Sequence, residues 1–278
     1  MKKIAVLTSV RNDVLFTDRW IAYYGAALGP ENLYIQLDGL DQPVPDPATG
    51  VNAIPLPFVK RNVVAGEKAR AKRASDLAAQ LFADGYDLVI GTDIDEFLVV
   101  DPNTNKSLHQ YLSDVPVRGC LSGLGLDVVQ DTNTEPALDR GKGFLAQRSV
   151  AILSPRYTKN AILSEPLQWG SGYHRVKRRN FKIDPNLYMF HFGSVDRSVS
   201  DERLNDQDRI DQGWTEHQIR REKMFDQMLE ITPVAGDDRF SSARSEMSWR
   251  RPFYAWNKPG HLKRNFVVQI PDRFKTIV

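Results

Sequence analysis

The 278-residue chain has a single cysteine, Cys120, and no apolar run close to the length of a membrane helix. One cysteine excludes an internal disulfide and a cysteine-rich zinc site. A membrane helix needs about 20 consecutive apolar residues, so we expect a soluble, cytoplasmic protein. The 37 lysines and arginines nearly balance the 35 aspartates and glutamates, leaving a net charge of +2. This balance argues against a dedicated nucleic-acid-binding protein, so nucleic acid is not an expected partner.

The first 120 residues alternate between short apolar runs and segments with helical periodicity. Strands are predicted at residues 4–10, 33–37 and 87–91, and helices at 14–28 and 67–83. Strands that alternate with helices favour an α/β fold with a mostly parallel, Rossmann-like sheet.

After residue 100 the pattern changes. Strands are predicted at residues 118–126, 144–153, 173–183 and 187–193, without long helices between them. The charged, periodic segment 200–230 predicts one or two surface helices. The second half is therefore expected to be more irregular than the first.

The strongest chemical signal is the pair Asp93 and Asp95, which follows the third predicted strand and precedes Glu96-Phe97-Leu98. Ligand crevices form at the carboxyl edge of parallel sheets. Two carboxylates this close repel each other unless a cation neutralises them. Mn²⁺ or Mg²⁺ suits oxygen ligands and leaves positions open for phosphates. The alternative is an exposed acidic turn.

In this position the motif resembles that of the GT-A nucleotide-sugar glycosyltransferases, in particular family-2-like enzymes with an Asp-x-Asp-Glu-Phe-Leu block. The likeness also includes Arg11-Asn12-Asp13 after the first strand, Trp20 in the first helix and Asp38 after the second strand. It covers residues 3 to about 100 and extends more weakly to about 195. It implies a GT-A-like fold and transfer of a sugar, with inversion, from a nucleotide-diphosphate donor to a saccharide or surface-glycan acceptor.

The resemblance also assigns residues to the donor. It implies that Asp38 contacts the base or ribose, with Asn12 nearby. Asp95 becomes the direct metal ligand, while Asp93 holds the ribose or a metal-bound water. Two residues of the basic helix, Lys68 and Arg73, are candidates for binding the diphosphate; a solvated helix face is the alternative.

Histidines and an aromatic residue complete the candidates. The family often supplies a late histidine as third metal ligand, which here is His191, although its apolar surroundings also suit a core histidine. His174 lies in a Gly-rich segment that could approach a sugar closely. Trp169, just before this segment, is a candidate platform for sugar stacking.

An inverting reaction needs a general base, because the acceptor hydroxyl loses a proton. The resemblance suggests an acidic residue after the strand that follows Asp-x-Asp. Asp127 is the first candidate, Asp131 the second and Glu165 the third. For each, a turn carboxylate is the alternative.

We expect a GT-A-like catalytic domain at residues 1–238 and, because the chain becomes basic and aromatic from Arg239 onward, a separate arm at 239–278. Residues 1–100 form its nucleotide-binding half and 101–238 its acceptor half. The arm has nine lysines and arginines against two acidic residues, a net charge of +7. Its aromatic residues are Phe240, Trp249, Phe253, Tyr254, Trp256, Phe266 and Phe274. The arm is predicted to contact an anionic acceptor or, peripherally, the anionic inner face of a membrane; packing on the domain is the alternative for its rings.

Two other functional classes compete. Haloacid-dehalogenase-like phosphatases also place Asp-x-Asp after an apolar strand, and Gly236-Asp237-Asp238 imitates their later acidic motif. In them the first aspartate is a nucleophile, but it follows the first strand rather than the third. A non-catalytic sugar-binding module would use Trp169 and the arm without needing Asp93 or Asp95.

Overall fold

The N-terminal strands form the parallel part of a mixed sheet. The computed structural model describes residues 1–216, 219, 226, 230–250 and 256–278. Strands β1 (Ile4–Val10), β2 (Leu33–Asp38), β3 (Asn52–Leu56) and β4 (Leu88–Gly91) lie in the order β3-β2-β1-β4, all parallel. The predicted α/β, Rossmann-like fold is confirmed.

Two helices cover this part of the sheet. Helix α1 (Val14–Leu28) buries Phe16, Trp20, Tyr24 and Leu28, one residue per turn, against the strands. Helix α2 (Val63–Ala83) starts four residues before its predicted start, because the side chain of its N-cap, Asn62, accepts a hydrogen bond from the Ala65 amide.

Strand β3 was not predicted, because prolines mark its sequence as a loop. It carries Pro55, which lacks an amide hydrogen and is tolerated in a strand at the edge of a sheet. β3 occupies that position, with a single partner, β2.

The second half extends the sheet with mostly antiparallel pairs. It contains helix α3 (Leu108–Asp114), which the sequence did not predict. Its strands are β5 (Glu96–Val100), β6 (Cys120–Val129), β7 (Val150–Leu153), β8 (Ile162–Leu163) and β9 (Ile183–Ser194). β6 pairs with β7 and β8 antiparallel and with β9 parallel, and β9 also pairs antiparallel with β5. β9 therefore connects the Asp-x-Asp segment to the centre of this half.

The strand predicted at residues 173–183 is wrong. Trp169 and Val176 form an isolated bridge, and residues 171–173 form a short 3₁₀ turn. Tyr173, Val176 and Phe181 are buried nonetheless. These apolar residues reach the core one at a time from a loop. Their spacing in the sequence resembles that of a β-strand, so the pattern alone could not distinguish this loop from a paired strand.

The C-terminal region adds helices α4 (Arg197–Leu204), α5 (Gln207–Gln212) and α6 (Asp237–Trp249). Short strands β10 (Val234–Ala235) and β11 (Val267–Gln269) pair with each other, and β11 joins β7. Much of the predicted helical segment 200–230 lies outside the described residues. No helix in the described parts of the chain is long and apolar enough to cross a membrane.

The described aromatic residues of the arm differ in burial, and Phe266 is partly buried against the main core. Phe240 and Phe274 are buried in the main core. Trp249 is 82% exposed and Trp256 is 42% exposed, while residues 253 and 254 lie outside the described residues. Packing therefore explains part of the arm's aromatic content, and the membrane contact stays a prediction.

Candidate active site

A cavity of about 380 Å³, here the strand-edge cavity, lies where the parallel strands end. Its wall includes Asn12 after β1, Asp38 at the end of β2, and Asp93 and Asp95 after β4. Because β1, β2 and β4 run parallel, their carboxyl ends meet on one side of the sheet. Trp20 fixes this edge, since its indole Nε1 donates to Thr92 Oγ1 at 3.0 Å, one residue before Asp93.

The charges around the strand-edge cavity balance. Seven basic side chains face seven acidic ones. The basic ones are Arg11, Arg70, Arg156, Lys159, Arg197, Arg203 and Arg209; the acidic ones are Asp13, Asp38, Glu67, Asp93, Asp95, Asp206 and Asp208. Most of these residues are joined in ion pairs across the wall. A ligand entering this cavity meets a prearranged and nearly neutral set of charges.

Lys159 neutralises two acidic residues of the motif, Asp93 and Glu96. Its Nζ lies 2.6 Å from Asp93 Oδ2 and 2.6 Å from Glu96 Oε1, and all but 3% of its side chain is buried. Burial alone would lower the pKa of Lys159, but Asp93 and Glu96 raise it above its ordinary value. Burial raises the pKa of Glu96, and the attraction of Lys159 opposes this shift. Lys159 thus remains charged at neutral pH.

Arg203 of α4 neutralises the second aspartate of the motif. Its Nη1 donates to Asp95 Oδ2 at 2.9 Å, and its Nη2 donates to Asp13 Oδ2 at 2.8 Å. Arg209 of α5 also reaches Asp13, at 3.3 Å. These bonds hold α4 and α5 against the carboxyl edge of the sheet.

His191 of β9 lies between two carboxylates. Its Nδ1 is 2.6 Å from Asp127 Oδ1, and its Nε2 is 3.5 Å from Asp95 Oδ2. The strand register explains this, because His191 is paired with both Glu96 of β5 and Asp127 of β6. A carboxylate at Nδ1 favours the tautomer with its proton there, which leaves Nε2 as a metal donor. Tyr157 stacks on the imidazole, with the ring centres 3.7 Å apart.

The donor atoms of Asp95 and His191 lie close enough together to share one divalent ion, although Arg203 already donates to the same Asp95 oxygen. Ligands that bind at about 2.1 Å lie roughly 3 Å apart, close to the 3.5 Å between Asp95 Oδ2 and His191 Nε2. An oxygen and an imidazole nitrogen are suitable ligands for Mn²⁺. Among the described residues, no group of three or more histidines, cysteines and acidic side chains could hold a metal. Two protein ligands would leave the other positions to water or phosphate oxygens.

A buried serine of the cavity wall lacks a hydrogen-bond partner among the residues that the structure describes. The Ser194 hydroxyl, at the end of β9, is buried and forms no hydrogen bond within the described structure. A buried hydroxyl without a partner costs about 1–3 kcal/mol. A polar ligand would satisfy it.

The predicted diphosphate-binding residues lie in different places. Arg73 pairs with Asp38 at 3.2 Å. Lys68 lies on the wall of a second cavity, whereas Arg70 lines the strand-edge cavity. Successive helical residues are rotated by about 100°, so two positions along α2 point to different sides. The sequence pattern did not reveal which of these basic residues faces the strand-edge cavity.

The three predicted general bases are also separated. Asp127 is buried and binds His191. Asp131 caps a turn by accepting hydrogen bonds from Asn133 and Thr134, and Glu165 pairs with Arg179 at the surface. Asp131 and Glu165 line neither cavity. Their role as bases stays a prediction.

His174 and Trp169 border the second cavity, and His174 lines the first as well. Burial, then the charge of Lys159, lowers the pKa of His174 to about 3, so this imidazole is neutral at pH 7. Trp169 is 2% exposed, and its Nε1 donates to the Asn160 carbonyl. Its ring packs against Gly91 and Tyr173, which leaves little surface for stacking on a sugar.

Lys159 and Arg203 were missed by the sequence reasoning, whereas Arg70 belongs to the predicted basic helix but was not the favoured residue there. Lys159 and Arg203 lie 66 and 108 positions from the aspartates that they neutralise. No local pattern marks such partners.

The chain matches no protein-family model and no curated relative. Among solved structures, it is similar to mannose-1-phosphate geranyltransferase from Thermus thermophilus, with 10% identity and a TM-score of 0.31. That match covers 77% of this chain but only 64% of the other. It is also similar to CMP:2-keto-3-deoxy-manno-octonic acid synthetase complexed with CTP, with 11% identity, a TM-score of 0.25 and coverage of 80% and 86%. Similarity at this level carries no conclusion about activity.

Proposed function

We propose that this protein is a glycosyltransferase that moves a sugar from a nucleotide-diphosphate donor to a saccharide or surface-glycan acceptor, aided by Mn²⁺ or Mg²⁺. The observation that carries this proposal is the strand-edge cavity, which gathers Asp38, Asp93, Asp95 and His191 at the carboxyl ends of parallel strands. Its volume of about 380 Å³ lies within the range of roughly 300–1,000 Å³ found for small-molecule sites. Its balanced charge suits a diphosphate that arrives with a divalent cation.

The donor contacts follow from the cavity wall. Asp38, held by Arg73, is the partner for the ribose or base, with Asn12 beside it. Arg70 and Lys159 flank Asp93, at 4.0 and 2.6 Å, and provide positive charge for the phosphates. Charge-assisted bonds from such groups position a diphosphate better than neutral ones.

Asp95 and His191 would hold the metal ion. Asp127 orients His191 by accepting the hydrogen bond from the Nδ1 proton of the histidine. When bound, a divalent ion neutralises the charge that develops on the departing diphosphate. Arg203 donates to the same carboxylate oxygen, so its guanidinium would have to shift when the ion binds. Asp93 then serves the ribose or a metal-bound water.

In the transfer itself, the acceptor hydroxyl oxygen forms a bond to the anomeric carbon. The bond from that carbon to the phosphate oxygen breaks, and the nucleoside diphosphate leaves with the electron pair. The hydroxyl proton passes to a general base, for which we propose Asp127. Of the three predicted bases, Asp127 is the one that borders a cavity. This second cavity lies next to the strand-edge cavity.

The direct test is a thermal-shift panel of UDP-, GDP-, CMP- and dTDP-sugars, each with and without Mn²⁺. A ligand that binds only the folded state stabilises it by mass action, by about 2.7 kcal/mol at a hundredfold excess over Kd. At least one nucleotide sugar is expected to stabilise the protein, and more strongly with Mn²⁺. No stabilisation by any of them would contradict the proposal.

Asp95→Asn isolates the metal. The residue lies after a strand end, so the variant is expected to fold but to lose metal-dependent donor binding and transfer. Asp114→Asn, which removes a surface aspartate paired with Lys106, is the matched control and should behave as wild type. Wild-type transfer that persists in excess EDTA would contradict a metal-dependent reaction.

His191→Ala separates a metal ligand from a core residue. A ligand role predicts weaker Mn²⁺ binding in a variant that remains folded. If the folded variant binds Mn²⁺ as well as wild type and only its melting temperature falls, His191 is a core residue.

A further inference from the structure

The second cavity, here the basic groove, has a volume of about 1060 Å³ and lies beside the strand-edge cavity. Its walls come from α2, the loop after β7, the loop at residues 168–177 and the arm at residues 258–265. This volume is slightly above the range of roughly 300–1,000 Å³ found for small-molecule sites. The groove therefore has room for a ligand larger than one sugar ring.

The groove is strongly positive. Six lysines and arginines line it against two aspartates, a net charge of +4 if its histidines are neutral. The basic residues are Lys68, Lys72, Arg156, Arg175, Lys177 and Lys258; the acidic ones are Asp76 and Asp127. The strand-edge cavity, by contrast, is balanced.

Both aspartates of the groove already have partners. Asp76 pairs with Lys72 at 2.6 Å, and Asp127 accepts from His191. Four of the basic side chains form no ion pair with any residue that the structure describes: Lys68, Arg156, Arg175 and Lys177. The charge that remains available is therefore positive.

The loop that carries two of these cations is fixed by backbone bonds. The Gly170 amide donates to the Arg175 carbonyl at 2.8 Å, and the Lys177 amide donates to the Gln168 carbonyl at 2.9 Å. A Cβ atom at Gly170 would lie 2.8 Å from Arg175 Cγ, so glycine lets the Arg175 stem pack on the loop. Arg175 is thus presented in a defined position.

The two cavities share a wall formed by Arg156, Tyr157, Ser171 and His174. A ligand in the basic groove therefore meets a ligand in the strand-edge cavity at these residues. Group transfer requires the reacting atoms to be held about 3–3.5 Å apart. The shared wall is where this can occur.

We propose that the basic groove binds the acceptor, and that the acceptor is a saccharide bearing negatively charged groups, carboxylate or phosphate. This inference rests on the proposed function, since it supplies the substrate that receives the sugar. Four cations without acidic partners around one concave site recognise anions on the ligand, while its hydroxyl groups remain for reaction at the shared wall. A flat anionic membrane would not reach into a concave groove.

The test is calorimetric titration with trigalacturonate and, as a neutral match of equal length, maltotriose. A second pair of probes, glucose 6-phosphate and glucose, tests in the same way whether the groove recognises phosphate rather than carboxylate. Wild type should bind at least one of the anionic probes about tenfold more tightly than its neutral match, because a charge-assisted hydrogen bond is worth more than a neutral one. Binding should weaken as salt is raised.

The double variant Arg175→Gln/Lys177→Gln removes two exposed cations of the groove that do not line the strand-edge cavity. Its affinity for the anionic probe should fall at least about tenfold. The control Lys106→Gln/Lys275→Gln removes two cations from surface pairs elsewhere and should keep wild-type affinity. Equal binding of anionic and neutral probes, or equal losses in both double variants, would overturn the inference.

The nucleotide-sugar panel distinguishes the two proposals. Stabilisation by a nucleotide sugar in both wild type and Arg175→Gln/Lys177→Gln, without binding of any anionic probe, would refute the acceptor inference alone. Binding of an anionic saccharide without stabilisation by any nucleotide sugar would refute glycosyl transfer and leave an anion-binding groove. Binding of phosphatidylglycerol vesicles that depends on Arg175 and Lys177, without binding of any saccharide probe, would assign the groove to a membrane surface instead.

Discussion

The two neighbouring cavities differ in how their charges are arranged. In the strand-edge cavity, opposite charges are paired with one another, often through residues far apart in the chain. In the basic groove, cations outnumber acids and four of them have no acidic partner in the described structure. A paired wall is prearranged for a ligand that brings its own counter-ion, whereas an unpaired basic wall attracts an anion. Under the proposed function, the balanced cavity would take the donor and the basic groove the acceptor.

The largest expected effect is on the paired wall. Lys159→Met leaves the buried carboxyl group of Glu96 and the half-buried carboxylate of Asp93 without their cation. Removing one partner of a buried ion pair costs about 3–5 kcal/mol, and urea denaturation should measure a loss of that size. Lys106→Met removes a surface pair and should cost less than about 1 kcal/mol. Similar losses in the two variants would show that the wall is not held by this buried pair.

We expect the basic groove to depend on apolar anchoring of the arm. Phe274 is fully buried and packs against the rings of Tyr188 and Phe190. Phe274→Ala should cost about 3 kcal/mol of unfolding free energy, and should weaken binding of the anionic probe because the arm supplies one wall. Trp249→Ala, at an exposed site, should stay within about 0.5 kcal/mol of wild type. Equal losses would contradict this view of the arm.

Asp127 connects the two cavities, because it lines the groove and binds His191. Replacing a carboxylate that orients a metal-binding histidine typically costs about 10–100-fold in metal affinity. Asp127→Asn should therefore weaken Mn²⁺ binding by about that factor, measured by calorimetry, and also slow transfer. Lost transfer with unchanged Mn²⁺ affinity would restrict Asp127 to the role of base. Wild-type values for both would remove it from the site.

The effect expected at the shared wall is a pH dependence, which is close to zero at neutral pH and grows as the pH falls. The pKa of His174 falls from 6.5 to about 3 on folding, mainly through burial. Between these values the unfolded state binds more protons, so this contribution to stability is fully present above pH 6.5 and is lost as the pH falls towards 3. The slope is at most about 1.4 kcal/mol per pH unit. His174→Gln should flatten the stability curve between pH 6.5 and about 4 relative to wild type, as followed by urea midpoints. An unchanged curve would show that His174 is not held neutral by the fold.

The order of the first elements followed from the sequence alone. Apolar runs at β1, β2 and β4, with helical patterns between them, were sufficient to predict a parallel α/β half. The position of Asp38, Asp93 and Asp95 at one edge follows from chain direction, because each aspartate ends or follows a strand of a parallel set. These features are local, since they depend on the periodicity of side chains and on which residue lies at the end of each strand.

What the sequence could not decide was which distant residues meet. The parallel pairing of β6 with β9 brings Asp127 to His191, 64 positions away, and the packing of α4 brings Arg203 to Asp95. The rotation of α2 turns Arg70 towards one cavity and Lys68 towards the other. Such contacts depend on register and packing across the whole chain, so only the tertiary structure separates a balanced cavity from a basic groove.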